Sequence, residues 1–182
     1  MRARGATLRE LRRRARGVRL LILDVDGVLT DGGIILDNEG NELKKFHVRD
    51  GHGIKMLQAA GVEVAIITGR GSRVVELRAQ ELGIRELYQR CKDKGAAYEH
   101  LLGKLGLRQE EVAYMGDDVV DIPLLRKVGL PIAVADAHQE ARRHALLITS
   151  QPGGRGAVRE ATDFIIKAKG LWNALIGSYL ED

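Results

Sequence analysis

At 182 residues, 45% of them apolar and 30% charged, the chain has material for one globular domain with a sizeable core. Its longest apolar runs are far too short to cross a membrane, and its lone cysteine, Cys91, excludes an internal disulfide. The net charge of +4 conceals a lopsided distribution: eight arginines against one glutamate leave residues 1–19 with seven surplus positive charges, and the remainder with a net −3.

Within the basic arm, residues 1–17, Leu8, Leu11 and Ala15 recur at helical spacing with Val18 just beyond, so a short amphipathic helix, packed on the body or on a neighbour or else frayed, is expected. The arm has no aromatic residue to stack a base, and nucleic acid is not expected as a partner. No apolar stretch of signal-peptide type precedes Val18, which together with the single cysteine points to a cytoplasmic protein without membrane insertion. Residues 18–182 read as one further unit. Its strand candidates are Arg19–Val25, Val62–Thr68, Val112–Met115, Pro131–Val134 and Leu146–Thr149. Helix candidates Gly53–Ala60, Ser72–Leu82, Lys94–Leu105, Asp118–Val128, Gln139–His144, Ala157–Lys167 and Leu171–Leu180 fall between and after them. This alternation predicts an α/β, Rossmann-like, mainly parallel sheet with helices on both faces. One segment breaks the pattern. Ile34–Leu36 and Glu42–Val48 flank the turn-rich Asp37–Asn41, a β-hairpin flap over about 33–48 that should stand over the strand ends.

Chemistry concentrates where the strands end. Leu21-Ile22-Leu23 runs into Asp24-Val25-Asp26-Gly27, two acids at i and i+2 whose apolar surroundings make bare charge costly unless a cation or substrate lies beside them. The second strand ends in Thr68-Gly69-Arg70-Gly71-Ser72, a hydroxyl and glycines opening a helix, suited to a phosphate. Asp93-Lys94 opens another helix and offers a cation for phosphoryl charge. Val112–Met115 leads into Gly116-Asp117-Asp118-Val119-Val120-Asp121, where Asp117 and Asp121 share a face if a helix starts there. Carboxylates with few other fixed ligands suit magnesium. Each signal alone is weak; their order along the chain makes an active site. Gly51-His52-Gly53 lacks the spacing of a dinucleotide fingerprint and reads as a turn.

Asp24-Val25-Asp26-Gly27-Val28, Thr68, Lys94 and Gly116-Asp117-Asp118-x-x-Asp121 resemble the four motifs of the haloacid dehalogenase superfamily of phosphotransferases. A narrower likeness runs from about Val18 to Phe164. Asp24–Gly33, Val48-Arg49-Asp50-Gly51-x-Gly53-Ile54, Ala65–Arg70, Leu82-Gly83-Ile84, Leu87-Tyr88-Gln89 and Gly153-Gly154-x-Gly156-Ala157-Val158-Arg159-Glu160 resemble the 3-deoxy-D-manno-octulosonate 8-phosphate (KDO 8-phosphate) phosphatase family. Arg90 departs from it, standing where the family has glycine.

The resemblance implies an Mg²⁺-dependent phosphatase acting on an eight-carbon sugar acid phosphate for lipopolysaccharide assembly. Asp24 would be the nucleophile, forming an aspartyl-phosphate. Asp26 would protonate the departing sugar oxygen and then activate water, with its backbone carbonyl on the metal. Asp24 and Asp117 would be the carboxylate metal ligands, with Asp121 and Asp118 behind them. Thr68 would donate to the phosphoryl oxygens, and Lys94 would be the fixed cation. Only 44 positions separate Asp24 from Thr68, and 26 separate Thr68 from Lys94. Neither interval holds a cap domain, which needs at least about 50 residues. An uncapped site implies closure by a neighbour, hence a homo-oligomer; the resemblance implies a tetramer. Thr68, Gly69 and Arg70 lead the candidates for substrate contact, followed by His47, Arg49, His52, Arg78 and Arg155. The nearest alternative is a nine-carbon, sialic-type acid 9-phosphate as substrate. A non-catalytic assembly module is opposed by the intact acids, and a nucleic-acid end phosphatase would need the arm to bind its substrate.

Overall fold

The computed structural model describes residues 1–3 and 5–180, so Arg4 of the arm and Glu181-Asp182 of the expected 18–182 unit lie outside the described residues. A seven-stranded sheet forms the centre. Its strands in chain order are β1 (Arg2–Ala3), β2 (Leu20–Leu23), β5 (Glu63–Ile67), β6 (Glu86–Tyr88), β7 (Val112–Gly116), β8 (Leu130–Ala133) and β9 (Leu147–Ile148). A separate two-stranded hairpin, β3 (Ile35–Leu36) and β4 (Glu42–Leu43), completes the numbering. The spatial order is β1-β9-β8-β7-β2-β5-β6, all parallel except β1, which runs antiparallel to β9.

All four residues of β2 are buried, as a central strand covered on both faces requires. Helices α1 (Leu8–Gly17), α2 (Val48–Ala59) and α7 (Ala157–Ala168) pack together. Helices α4 (Lys94–Leu105), α5 (Ile122–Leu125) and α6 (Gln139–His144) form a second group, with α3 (Arg73–Leu82) beside α2 and α8 (Trp172–Gly177) on α7. From β2 the chain builds outward through β5 and β6, then returns to lay β7 on the other side of β2. The winding reverses at β2, so a crevice opens at its carboxyl end. That end carries Asp24.

The arm forms a docked helix. Thr7 caps α1 by accepting from the Glu10 N–H at 3.2 Å, and Leu11, Ala15 and Val18 are buried, whereas Leu8 of the expected stripe is 54% exposed. Hydrogen bonds from Arg13 and Arg14 hold the Glu10 carboxyl down at about 2, despite some opposing desolvation. Arg14 and Arg16 also donate to the carbonyls of Gly129 and Ala168, at 2.8 and 3.1 Å. Two of the arm's arginines are thus engaged by the body itself.

The elements depart from the sequence-based expectation in several places: β6 is absent from the strand candidates, the last helix is shorter than Leu171–Leu180, and three further differences have a local cause. Helix α2 starts at Val48, not Gly53, so the return strand of the hairpin ends at Leu43 and Gly51-His52-Gly53 is helical rather than a turn. Glycine is tolerated there because there is no room for anything larger. A Cβ on Gly51 would strike the Arg78 guanidinium, and one on Gly53 would strike the Thr162 hydroxyl and the Arg159 stem. The expected helix Asp118–Val128 divides into a 3₁₀ turn, Val119–Asp121, and the short α5, with Pro123 in the first turn of the latter. Edge strand β1, finally, comes from residues read as arm.

Candidate active site

Four loops meet at the carboxyl edge of the sheet around a cavity of about 520 Å³. Asp24, Asp26, Thr68, Gly69, Arg70, Lys94 and Asp117 all line it, each delivered by the strand end or helix start assigned to it above. Asp24 continues β2, its backbone N–H donating to the Met115 carbonyl at 3.1 Å and its Oδ1 accepting from the Val25 N–H at 2.8 Å. Lys94 is the first residue of α4, whose N-cap Asp93 accepts from the N–H groups of Gly95 and Ala96. That cap aims the Lys94 side chain inward, where Nζ lies 2.8 Å from Asp24 Oδ2 and 2.6 Å from Asp121 Oδ1.

Asp121 is fully buried and saturated by protein donors. Lys94 and the Tyr114 hydroxyl, at 2.5 Å, share its Oδ1, while the N–H groups of Asp117 and Asp118 donate to Oδ2 at 2.9 and 3.1 Å. The 3₁₀ turn sets this register, since Asp121 folds back under the loop that carries Asp117. With both oxygens engaged, Asp121 orients its neighbours and has little left for a metal. Tyr114 was not legible as a site residue. Its only signal is a phenol in the middle of an otherwise apolar, wholly buried strand, and burial beside these acids keeps its hydroxyl protonated.

Asp117 is the complementary case. Its carboxylate accepts no hydrogen bond among the described residues. It faces Gly27, whose φ of +86° suits glycine and where a Cβ would collide with it. Carboxylate oxygens of Asp24, Asp117 and Asp121 lie within 4.8 Å of one another. Burial is the main cause that pushes Asp117 up to about 7, followed by the charges of Asp121, Asp24 and Asp118, against Lys94. Burial likewise raises Asp24 to about 6, with Asp121 adding to it and Lys94 opposing. Desolvation would lower Lys94, but the two carboxylates outweigh it and its pKa is raised. Three clustered acids face one ammonium. That excess negative charge, in hard oxygen donors with one carboxylate unpartnered, fits a divalent cation such as Mg²⁺ held by Asp24 and Asp117.

Thr68 is buried to 2% exposure at the end of β5; its backbone is pinned between the Tyr88 carbonyl and the Cys91 N–H, and its hydroxyl has no hydrogen-bond partner among the described residues. Arg70 reaches the cavity from the same loop but already bonds Glu42 at 2.6 Å and lies 3.7 Å from Asp26 Oδ2. Arg90, at the position of the family's glycine, has φ +56°, the only non-glycine residue with positive φ among those described. The loop keeps the left-handed geometry that glycine would supply freely, and still delivers Lys94 to Asp24.

The remaining candidates do not line this cavity. His47, Arg49 and Arg155 gather instead around a separate cavity of about 470 Å³, beside the N-termini of α2 and α7. His52 meets the Tyr179 hydroxyl at 3.2 Å, and Arg78 pairs with Glu81 at 2.8 Å over the Phe46 ring. The Gly153-Gly154 turn does pack on the site, with the Gly154 N–H donating to the Val28 carbonyl at 2.9 Å and no room for a Cβ on Gly153 against the Gly27 carbonyl. Asp50, also unforeseen, is buried and caps α7 by accepting from Gly156 and Arg159 N–H groups at 3.1 and 2.7 Å.

Comparison with known proteins agrees with this geometry. Residues 79–160 match the haloacid dehalogenase-like hydrolase model. The 3-deoxy-D-manno-octulosonate 8-phosphate phosphatase KdsC of Escherichia coli K12 is 52% identical over 157 residues, 86% of this chain and 84% of the relative. The crystal structure of the phosphatase of that name from Moraxella catarrhalis, in complex with magnesium, phosphate and KDO, superposes with a TM-score of 0.93 at 40% identity, over 95% of this chain and 99% of that one. The Yersinia pestis structure gives 0.89 at 49% identity, over 90% and 89%. The chain belongs to the 3-deoxy-D-manno-octulosonate 8-phosphate phosphatase family of haloacid dehalogenase-like hydrolases.

Proposed function

We propose that this chain is a magnesium-dependent phosphomonoesterase that hydrolyses 3-deoxy-D-manno-octulosonate 8-phosphate to the free sugar acid and inorganic phosphate, in the cytoplasm and for lipopolysaccharide assembly. The observation that carries the reading is the convergence of Asp24, Lys94, Thr68 and Asp117 on one cavity at the switch point of the sheet. Asp24 and Asp117 would hold magnesium, with the Asp26 backbone carbonyl as the further ligand the family implies, and the ion would supply the positive charge that lets an anionic nucleophile approach a phosphate.

Asp24 attacks phosphorus. The bond from phosphorus to the sugar oxygen breaks as the bond to Asp24 forms, and Asp26 hands its proton to the departing oxygen. Asp26 then takes a proton from the water that attacks the aspartyl-phosphate, which releases phosphate and restores Asp24. Lys94 holds the nucleophilic carboxylate in place through its 2.8 Å contact and offsets phosphoryl charge, and the Thr68 hydroxyl donates to a phosphoryl oxygen. Gly69 and Arg70 bound the phosphate end of the cavity. Residues 18–182 form the phosphatase unit, with the arm as its docked appendage.

The working form is proposed to be a homo-oligomer, most simply a tetramer. The cavity has no cap, the hairpin exposes Ile34, Ile35, Leu36 and Leu43, and His47, Arg49 and Arg155 lie apart from Asp24 within one chain. A neighbour could cover the first two and use the third.

The test is phosphate release from purified eight- and nine-carbon sugar acid phosphates with Mg²⁺, with chelator, and with Asp24→Asn. Expected are a preference for the eight-carbon ester, reversible loss with chelator, and a folded Asp24→Asn at least about a thousandfold slower. A preference of at least about tenfold for the nine-carbon ester would move the assignment to sialic-type substrates.

A further inference from the structure

Lys44, at the exit of the hairpin strand β4, is half-buried as a residue, but its side chain is only 2% accessible. A buried ammonium is costly unless matched by negative groups. Its partners are Asp26 Oδ1 at 2.5 Å and Glu42 Oε1 at 3.2 Å. Arg70 closes the set, 2.6 Å from the same Glu42 oxygen and 3.7 Å from Asp26 Oδ2. Two acids and two bases therefore balance, and they link three segments: the loop after β2, the loop after β5 and the hairpin. Lys45, paired with Asp31 at 3.0 Å, tethers the hairpin a second time, so Lys44 is not needed merely to hold it down.

We propose that Lys44 is a positioning residue for proton transfer to the leaving group, acting through Asp26. The inference rests on the phosphatase reading above and on Asp26 as the proton donor. Asp26 is otherwise a partly exposed side chain on a turn, its Oδ2 only loosely approached by Arg70 Nε at 3.7 Å. By claiming Oδ1, Lys44 fixes the carboxyl plane and leaves Oδ2 as the oxygen that carries the reactive proton. As the bond from phosphorus to the sugar oxygen breaks, that proton passes from Oδ2 to the sugar oxygen, and Asp26 is left as the carboxylate that later accepts a proton from water.

Leaving groups separate this role from a structural one. A sugar alkoxide cannot depart without a proton, whereas p-nitrophenolate is a stable anion. The quantity to compare is kcat/KM, which reports only the steps through the first phosphoryl transfer. Lys44→Met keeps the buried stem and removes the charge. Its kcat/KM on 3-deoxy-D-manno-octulosonate 8-phosphate should fall about thirtyfold or more, with a loss at least about tenfold smaller on p-nitrophenyl phosphate. Equal losses on both esters, or kcat/KM on the sugar ester within about threefold of wild type, would overturn the proposal. If Lys44→Met fails to fold, Lys44→Gln is judged by the same ratio. Failure of the underlying reading looks different, because wild-type enzyme would then release no phosphate from the sugar ester, and the role of Lys44 would fall with it.

Discussion

Asp117 is an acid with nothing to donate to it, held beside two others. The unfolded chain would titrate Asp24 and Asp117 near the ordinary value of about 4. In the folded, metal-free protein, burial first and neighbouring acids second raise them to about 6 and about 7. The native state therefore binds protons that the unfolded state has released. The stability these sites contribute is fully present below the unfolded value and is lost as pH rises through the two folded values. Metal binds the ionised form, so its stabilising effect grows across the same interval. With chelator, the melting temperature should drop by roughly 5 °C between about pH 5 and 8, and excess Mg²⁺ should restore it most at the alkaline end. Asp117→Asn should flatten both responses. A chelated wild-type protein whose melting temperature rises over that range would refute the account.

The acids behind this behaviour were legible because their positions follow from local rules: apolar strand, turn, helix start. Lys44, Glu42 and Tyr114 were not. A hairpin lysine and a strand tyrosine look ordinary until tertiary packing sets them 2.5 Å from Asp26 and from Asp121. The same limit hid where His47, Arg49 and Arg155 lie: within one chain the fold gathers them around another cavity.

At the scale of elements, the parallel sheet followed from the alternation of strand-like and helix-like runs and the hairpin from the turn-rich Asp37–Asn41 that interrupts it, and the errors lie where packing overrides propensity. Two glycines in three residues argue against a helix at about 1 kcal/mol each. Helix α2 accepts that penalty because Gly51 lets the Arg78 side chain cross it and Gly53 brings its backbone against α7. Pro123 made the opposite point: it sits in the first turn of α5, where proline is welcome, and marks a helix start inside a run read as continuous. Gly53→Ala should therefore destabilise the protein despite its better propensity. The added methyl meets the Thr162 hydroxyl and the Arg159 backbone, an overpacking penalty of about 1–3 kcal/mol seen as a melting temperature lower by roughly 3–10 °C. Gly103→Ala in α4 is the control. Its Cβ would meet nothing within 4 Å, so the substitution should stabilise by up to about 1 kcal/mol. If both substitutions moved stability in the same direction, steric packing would not be what keeps glycine in α2.

For the molecule as a whole, the question is how a site without a cap excludes water and reads a sugar acid. Asp24 needs dry surroundings for its charge to act strongly on a phosphate, yet its cavity is lined by the strand-end loops and the start of α4, with no residue of the two-stranded hairpin among them. That hairpin is tied down by ion pairs at its base while Ile34, Ile35, Leu36 and Leu43 remain 48–62% exposed. Contiguous apolar surface beside an open site is what a neighbouring chain would cover. A second chain would also bring its own Arg49 and Arg155 as cations for the substrate carboxylate, with His47 beside them. Leu36→Glu should therefore leave a folded protein sedimenting as a single chain of 20.0 kDa, where wild type is expected to sediment as the proposed assembly of four. Its kcat/KM should fall about tenfold or more on the sugar acid ester and much less on p-nitrophenyl phosphate, which has no carboxylate to recognise. Wild-type protein that is monomeric at micromolar concentration and fully active on the sugar acid ester would show that the open cavity completes its own site.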